Sequence, residues 1–182
     1  MHPIRHCHSR LINAPAARVR PVLDALWSGR RGDAFPYDHI RPWRRAAEGG
    51  TGFSLGTRFG HGPFRFLIDC CDERRVFARI ETPGYQGFHG FELSEEPGGT
   101  RVVHSLVAAA APAEWLIWTL LVGAGHDWAV RSCLARLEGL VTAGDADLRP
   151  VEPMPWQLRT FIAIRKASRR LAPHPSSGPG RS

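Results

Sequence analysis

From Phe53 to Ala108 the chain alternates apolar and polar residues with period two, and this stretch constrains the fold more than any other. Five segments carry the alternation: Gly56–Gly62, Phe64–Asp72, Arg75–Thr82, Gln86–Ser94 and Thr100–Ala108. They are separated by Gly62-Pro63, Asp72-Glu73-Arg74, Pro83-Gly84 and Glu96-Pro97-Gly98-Gly99. Period two reads as half-buried strands, and the short polar, Gly- and Pro-containing separators read as turns. Connections this short force neighbouring strands to run antiparallel.

The flanks are helical. Ile4–Asn13 reads as a first strand. Pro15 then opens a helix in which Ala16, Val19, Val22, Leu23, Leu26 and Trp27 recur at helical spacing. A short helix is expected near residues 30–40. Pro112 opens a second helical stretch, interrupted at Gly123 and Gly125. A long amphipathic helix is expected over His126–Thr142, with Trp128, Ala129, Cys133, Leu134, Leu137, Leu140 and Val141 on its apolar face. This order predicts an α+β fold: a curved, antiparallel six-stranded sheet around the last long helix. The expected organisation is one domain over residues 1–144, a linker at 145–155, a cationic amphipathic helix at 156–171 and a disordered tail at 172–182.

Charge and composition narrow the classes. The net charge is +7. Residues 1–150 hold 18 basic and 16 acidic side chains, whereas 151–182 hold six basic and one acidic, so the basicity belongs to the tail. The basic stretch Arg30, Arg31, Arg41, Arg44 and Arg45 contains aromatics but no groove-reading motif, so no nucleic acid is expected. The apolar run 106–125 is broken by Pro112 and Glu114, and the 11 residues left, Trp115–Gly125, are too short to span a bilayer. Cys7, Cys70, Cys71 and Cys133 form no C-x-x-C pair and no secretory segment opens the chain, which makes the cytoplasm the expected location. The tail has two readings, packing on the domain or peripheral contact with an anionic membrane.

Five phrases, SRLINAPAARVRPVLDAL (9–26), LGTRFGHGPFRF (55–66), ARIETPGYQGFHGFEL (78–93), GGTRVVHSL (98–106) and HDWAVRSCLARLEGL (126–140), resemble in order the START-like (SRPBCC) superfamily of polyketide cyclases, dehydrases and Bet v 1-like helix-grip proteins. The resemblance implies a hydrophobic cavity between sheet and long helix that takes a lipid, sterol or polyketide-like molecule. It implies neither a shared catalytic set nor a cofactor.

Strand parity then selects the cavity-facing residues. A hairpin centred near Pro97-Gly98 pairs Leu93 with Val102 and Phe91 with His104, and makes His89 a diagonal neighbour of His104. Leu106 shares their face. In the earlier strands Phe59, His61, Phe64, Phe66 and Ile68 join it, as do Val76, Ala78 and Ile80. From the helices, Trp115, Leu116 and Trp118 are candidates for a gate, and Trp128 for the ligand-binding lining. His89 and His104 are the candidate acid–base pair of an enzyme, or the polar contacts of a carrier. His6 and His8 make an H-x-H pair able to hold zinc, but their place at the chain start reads as exposed, so no metal is expected. Asp127 reads as a charge favoured near a helix N-terminus. The chain is expected to act as a monomer or a homodimer.

Overall fold

The computed structural model describes residues 1–27, 54–61, 64–144, 153–160 and 163, without the side chains of Trp27 and His61. The expected helix near 30–40, the Gly-rich segment 49–52 and most of the linker and tail lie outside the described residues.

The six strands are β1 (His2–Ile12), β2 (Arg58–His61), β3 (Phe64–Cys71), β4 (Arg75–Ile80), β5 (Tyr85–Glu96) and β6 (Gly99–Ala110). They form one antiparallel sheet in the order β1-β6-β5-β4-β3-β2. The meander from β2 to β6 follows from the short turns. β1 adds to its far edge because α1 (Ala16–Trp27) carries the chain across the sheet between β1 and β2. The hairpin register is the one the turn and the alternation predict: Leu93 faces Val102, and Phe91 faces His104. Gly90 lets β4 and β5 approach, since a Cβ there would lie 2.1 Å from the Val76 carbonyl oxygen.

The C-terminal helical stretch differs from the expectation. α2 (Pro112–Ile117) runs through one π-helical turn (Trp118–Val122) directly into α3 (Gly123–Thr142). The two glycines at its start do not break it; the extra residue of the π turn is absorbed without a chain break. None of the described helices is long and apolar enough to cross a membrane.

The inner face of the sheet and α3 share one core. Phe66, Ile68, Val76, Leu93 and Val102 from the sheet pack with Leu134, Leu137 and Val141 from α3 and Val19, Leu23 and Leu26 from α1. Polar links pin the periphery. Arg10 pairs with Glu138 at 2.5 Å, tying β1 to α3. The Tyr85 hydroxyl donates to the Glu114 carbonyl at 3.1 Å, tying β5 to α2.

Fully buried Thr100 donates to the Ala14 carbonyl at 2.7 Å, fixing the β1–α1 corner against β6. Thr100→Val keeps the shape and orphans that carbonyl, so chemical denaturation should show a loss of about 1–3 kcal/mol. A change within about 0.3 kcal/mol would mean the corner is held by packing alone.

α3 has a second apolar face. Trp128 does not face the sheet as expected. It is buried on the opposite side with Leu158, and Ala129 and Met154 pack beside them. Gly125 admits this segment, because a Cβ at that position would meet Leu158 at 3.2 Å. The tail therefore begins by packing on the domain, with Leu158 buried and Trp156 62% exposed.

Candidate functional site

Among the described residues, the inner face of the sheet is apolar except for one polar seam. On β1 the inward residues are Ile4, His6, His8, Arg10 and Ile12, and they face Ala108, Leu106, His104, Val102 and Thr100 of β6. Two imidazoles of β1 thus meet one of β6 at the seam, with His8 directly opposite His104. His89 joins them from β5, opposite Leu106. The first turns of α3 close over the seam and bring His126 and Asp127.

His89 and His104 are 4% and 2% exposed, and their rings lie 5.8 Å apart. Aromatic rings surround them: Phe66 is 4.3 Å from His89, and Phe91 is 4.9 Å from His104. The imidazole line continues from His104 to His126 at 5.2 Å and from His126 to His6 at 5.4 Å.

Asp127 anchors the end of this line. Its Oδ1 lies 2.6 Å from His6 Nδ1, 3.0 Å from His8 Nε2 and 3.8 Å from His126 Nδ1. The network assigns the protons. The Trp118 indole N–H donates to His6 Nε2 at 3.1 Å, so neutral His6 carries its proton on Nδ1 and donates it to Asp127. His8 donates through Nε2. The His126 Nδ1 is buried and makes no hydrogen bond.

Electrostatics follow from this packing. Burial alone would raise the Asp127 pKa, but the imidazoles of His126, His8 and His6 outweigh it and hold the carboxyl well below the usual carboxylate range. Burial pushes His126 the other way for a base, below its ordinary value, despite the carboxylate beside it. The result is a carboxylate that holds its charge beside an imidazole whose affinity for a proton is reduced.

The structure brings together most of the residues expected from the sequence. Phe64, Phe66, Ile68, Ala78, Ile80, Phe91, Leu93, Val102 and Leu106 are buried in one core with Trp118. Phe59 and Trp115 are half-buried against it, while Leu116 is 52% exposed. The side chain of His61 lies outside the described residues. Trp128 is excluded, as its ring faces Leu158.

Four residues were read differently from the sequence. His6 and His8 are half-buried rather than exposed, because their strand is covered by α3. Asp127 lies in the second turn of α3, since the helix starts at Gly123, and it serves the two imidazoles of β1 rather than a helix terminus. His126 joins it from the same turn. The signal available in the sequence was the H-x-H spacing, which puts both rings on one strand face.

No family model and no curated protein matches this sequence. Solved structures do match in fold. A norcoclaurine synthase point mutant from Thalictrum, in complex with a transition-state analogue, has a TM-score of 0.57 at 12% identity, covering 78% of this chain and 96% of that one. The KanY protein gives 0.54 at 14% identity, with 78% and 99% covered. Ara h 8.0201 gives 0.52 at 16% identity, with the same coverage, 78% and 99%. The chain shares the α+β helix-grip fold of these solved structures, an antiparallel six-stranded sheet closed by a long C-terminal helix.

Proposed function

We propose that this protein binds a hydrophobic small molecule, of lipid, sterol or polyketide-like character, between the inner face of its sheet and α3, as a carrier. The observation that carries this reading is the placement of His89 and His104, two imidazoles buried side by side among Phe66 and Phe91. An apolar interior with a few fixed polar groups is the usual construction of a small-molecule site: the apolar walls supply affinity and the polar groups fix orientation. A neutral imidazole both donates and accepts, so it suits a ligand hydroxyl or carbonyl. The solved structures of like fold include one that holds a transition-state analogue. The cytoplasm is the location this reading favours, and none of the four cysteines is in a disulfide.

A second reading, an enzyme of the polyketide cyclase or dehydrase type, is favoured by one further feature. Asp127 orients His6 through Nδ1, which leaves Nε2 as a basic lone pair, capped here by Trp118. A carboxylate-oriented imidazole is the arrangement that general-base chemistry uses. His6 would then act with His104 and His89 on a substrate folded against the aromatic wall.

Imidazole NMR on the full chain tests the binding reading. Titration with 2-naphthol should move the ring signals of His89 and His104 more than titration with naphthalene does, because only the former offers a hydroxyl. Signals of the exposed His2 should stay in place. No movement of His89 or His104 with either compound would remove the proposed site. Separating the two readings needs turnover: a carrier leaves a polyketide-like substrate intact, whereas an enzyme converts it and stops doing so as His6→Gln.

A further inference from the structure

The cluster around Asp127 has a property that ligand binding does not use. Three imidazole nitrogens, from two separate elements, are aimed at a single carboxylate oxygen at 2.6, 3.0 and 3.8 Å. One ligand atom from each of His6, His126 and Asp127 lies within 4.8 Å of the others. Ligand atoms about 2.0–2.1 Å from a tetrahedral zinc stand about 3.3 Å from one another, so the donors need only small shifts to surround an ion. We propose that His6, His126 and Asp127, with His8 as the fourth donor, form a site for a divalent transition metal of the zinc type.

The donor chemistry selects this class. Three imidazoles and one carboxylate suit zinc, cobalt or nickel, and they disfavour calcium and magnesium, which demand mostly oxygen. His126 is the most telling member. Its Nδ1 is buried without a hydrogen bond, yet it points at the cluster. The frame is firm as well: His6 and His8 lie within a strand paired along its length to β6, and His126 and Asp127 lie in the second turn of a 20-residue helix.

Trp118 supplies a consequence specific to this site. Ligation of His6 through Nδ1 moves its proton to Nε2, where the Trp118 N–H now donates. Two donors cannot share that contact, so the indole must turn away when metal enters. Trp118 is therefore a positioning residue that favours the empty site, and Trp118→Phe should bind metal more tightly than the parent chain.

The test uses the untagged full chain, stripped of metal with a chelator that is then removed. Titration with cobalt should give the intense visible bands of a tetrahedral site, saturating at one ion per chain. Zinc should displace it, with micromolar or tighter affinity measured against a chromophoric chelator. Asp127→Asn and His126→Gln should each weaken zinc by at least about tenfold, since loss of even an outer partner of a ligand costs about that much. His2→Ala, a histidine outside the cluster, should bind as the parent does. If Asp127→Asn does not fold, His126→Gln and His8→Gln carry the comparison, with circular dichroism as the check on folding. The proposal is overturned if cobalt shows only octahedral, non-saturating spectra, or if the folded cluster variants bind zinc like the parent. This inference does not depend on the small-molecule reading, which the NMR titration tests at His89 and His104.

Discussion

Leu137→Ala is expected to lower the unfolding free energy by about 2–5 kcal/mol, a large loss for one truncation in α3. Leu137 is fully buried on the helix face that meets the sheet. The substitution removes the transfer free energy of the lost carbons and leaves a hole that neither a paired sheet nor a 20-residue helix readily closes. Leu116→Ala makes the internal comparison, since Leu116 is 52% exposed and its truncation should cost less than about 0.5 kcal/mol. Urea unfolding of the two variants gives the difference directly. If Leu137→Ala lost less than about 1 kcal/mol, α3 would not be the element that closes the sheet.

Ala78→Phe should abolish most ligand binding while leaving the fold in place. Ala78 is fully buried on the inner face, between Ile68 of β3 and His89 of β5 in the pairing register. A phenyl ring there would take volume next to His89, its partner in the β4–β5 register. Overpacking of this kind costs about 1–3 kcal/mol, which a domain of this size survives. Any ligand competing for that volume meets a similar penalty, roughly tenfold to a hundredfold in affinity. Val107→Phe, on the outer face and 38% exposed, should bind 2-naphthol as the parent does. Equal affinity for Ala78→Phe and the parent would put the ligand elsewhere.

The sheet was legible because its determinants are local. Period two in β3 to β6 and turns of two to four residues decide both pairing and facing, so the Leu93–Val102 and Phe91–His104 pairs and the proximity of His89 to His104 could be read before any coordinates. The Asp127 cluster was not legible in this way. His6 and His8 are separated from Asp127 by 121 and 119 residues. Strand parity says which face an imidazole takes, but not which turn of a distant helix will lie over it. The apparent place of His6 and His8 at the chain start also argued for exposure, and pairing of β1 along all its length with β6 removed that argument. Trp128 failed for a different reason. α3 has two apolar faces, and helical periodicity cannot tell which one meets the sheet. Leu158 and the missing Cβ of Gly125 decide it. The π turn was hidden because Trp118–Val122 continues the apolar helical run without a break, and a π turn differs from α-helix only in hydrogen-bond register.

Native mass spectrometry of the full chain, purified from its own host without detergent, puts the small-molecule reading to its most direct trial. The account predicts a discrete adduct of one hydrophobic molecule per chain, retained by the parent and by Val107→Phe and lost from Ala78→Phe. A parent chain that carries no adduct and gains none on incubation with a lipid extract of that host, or an adduct that Ala78→Phe retains in full, would contradict it.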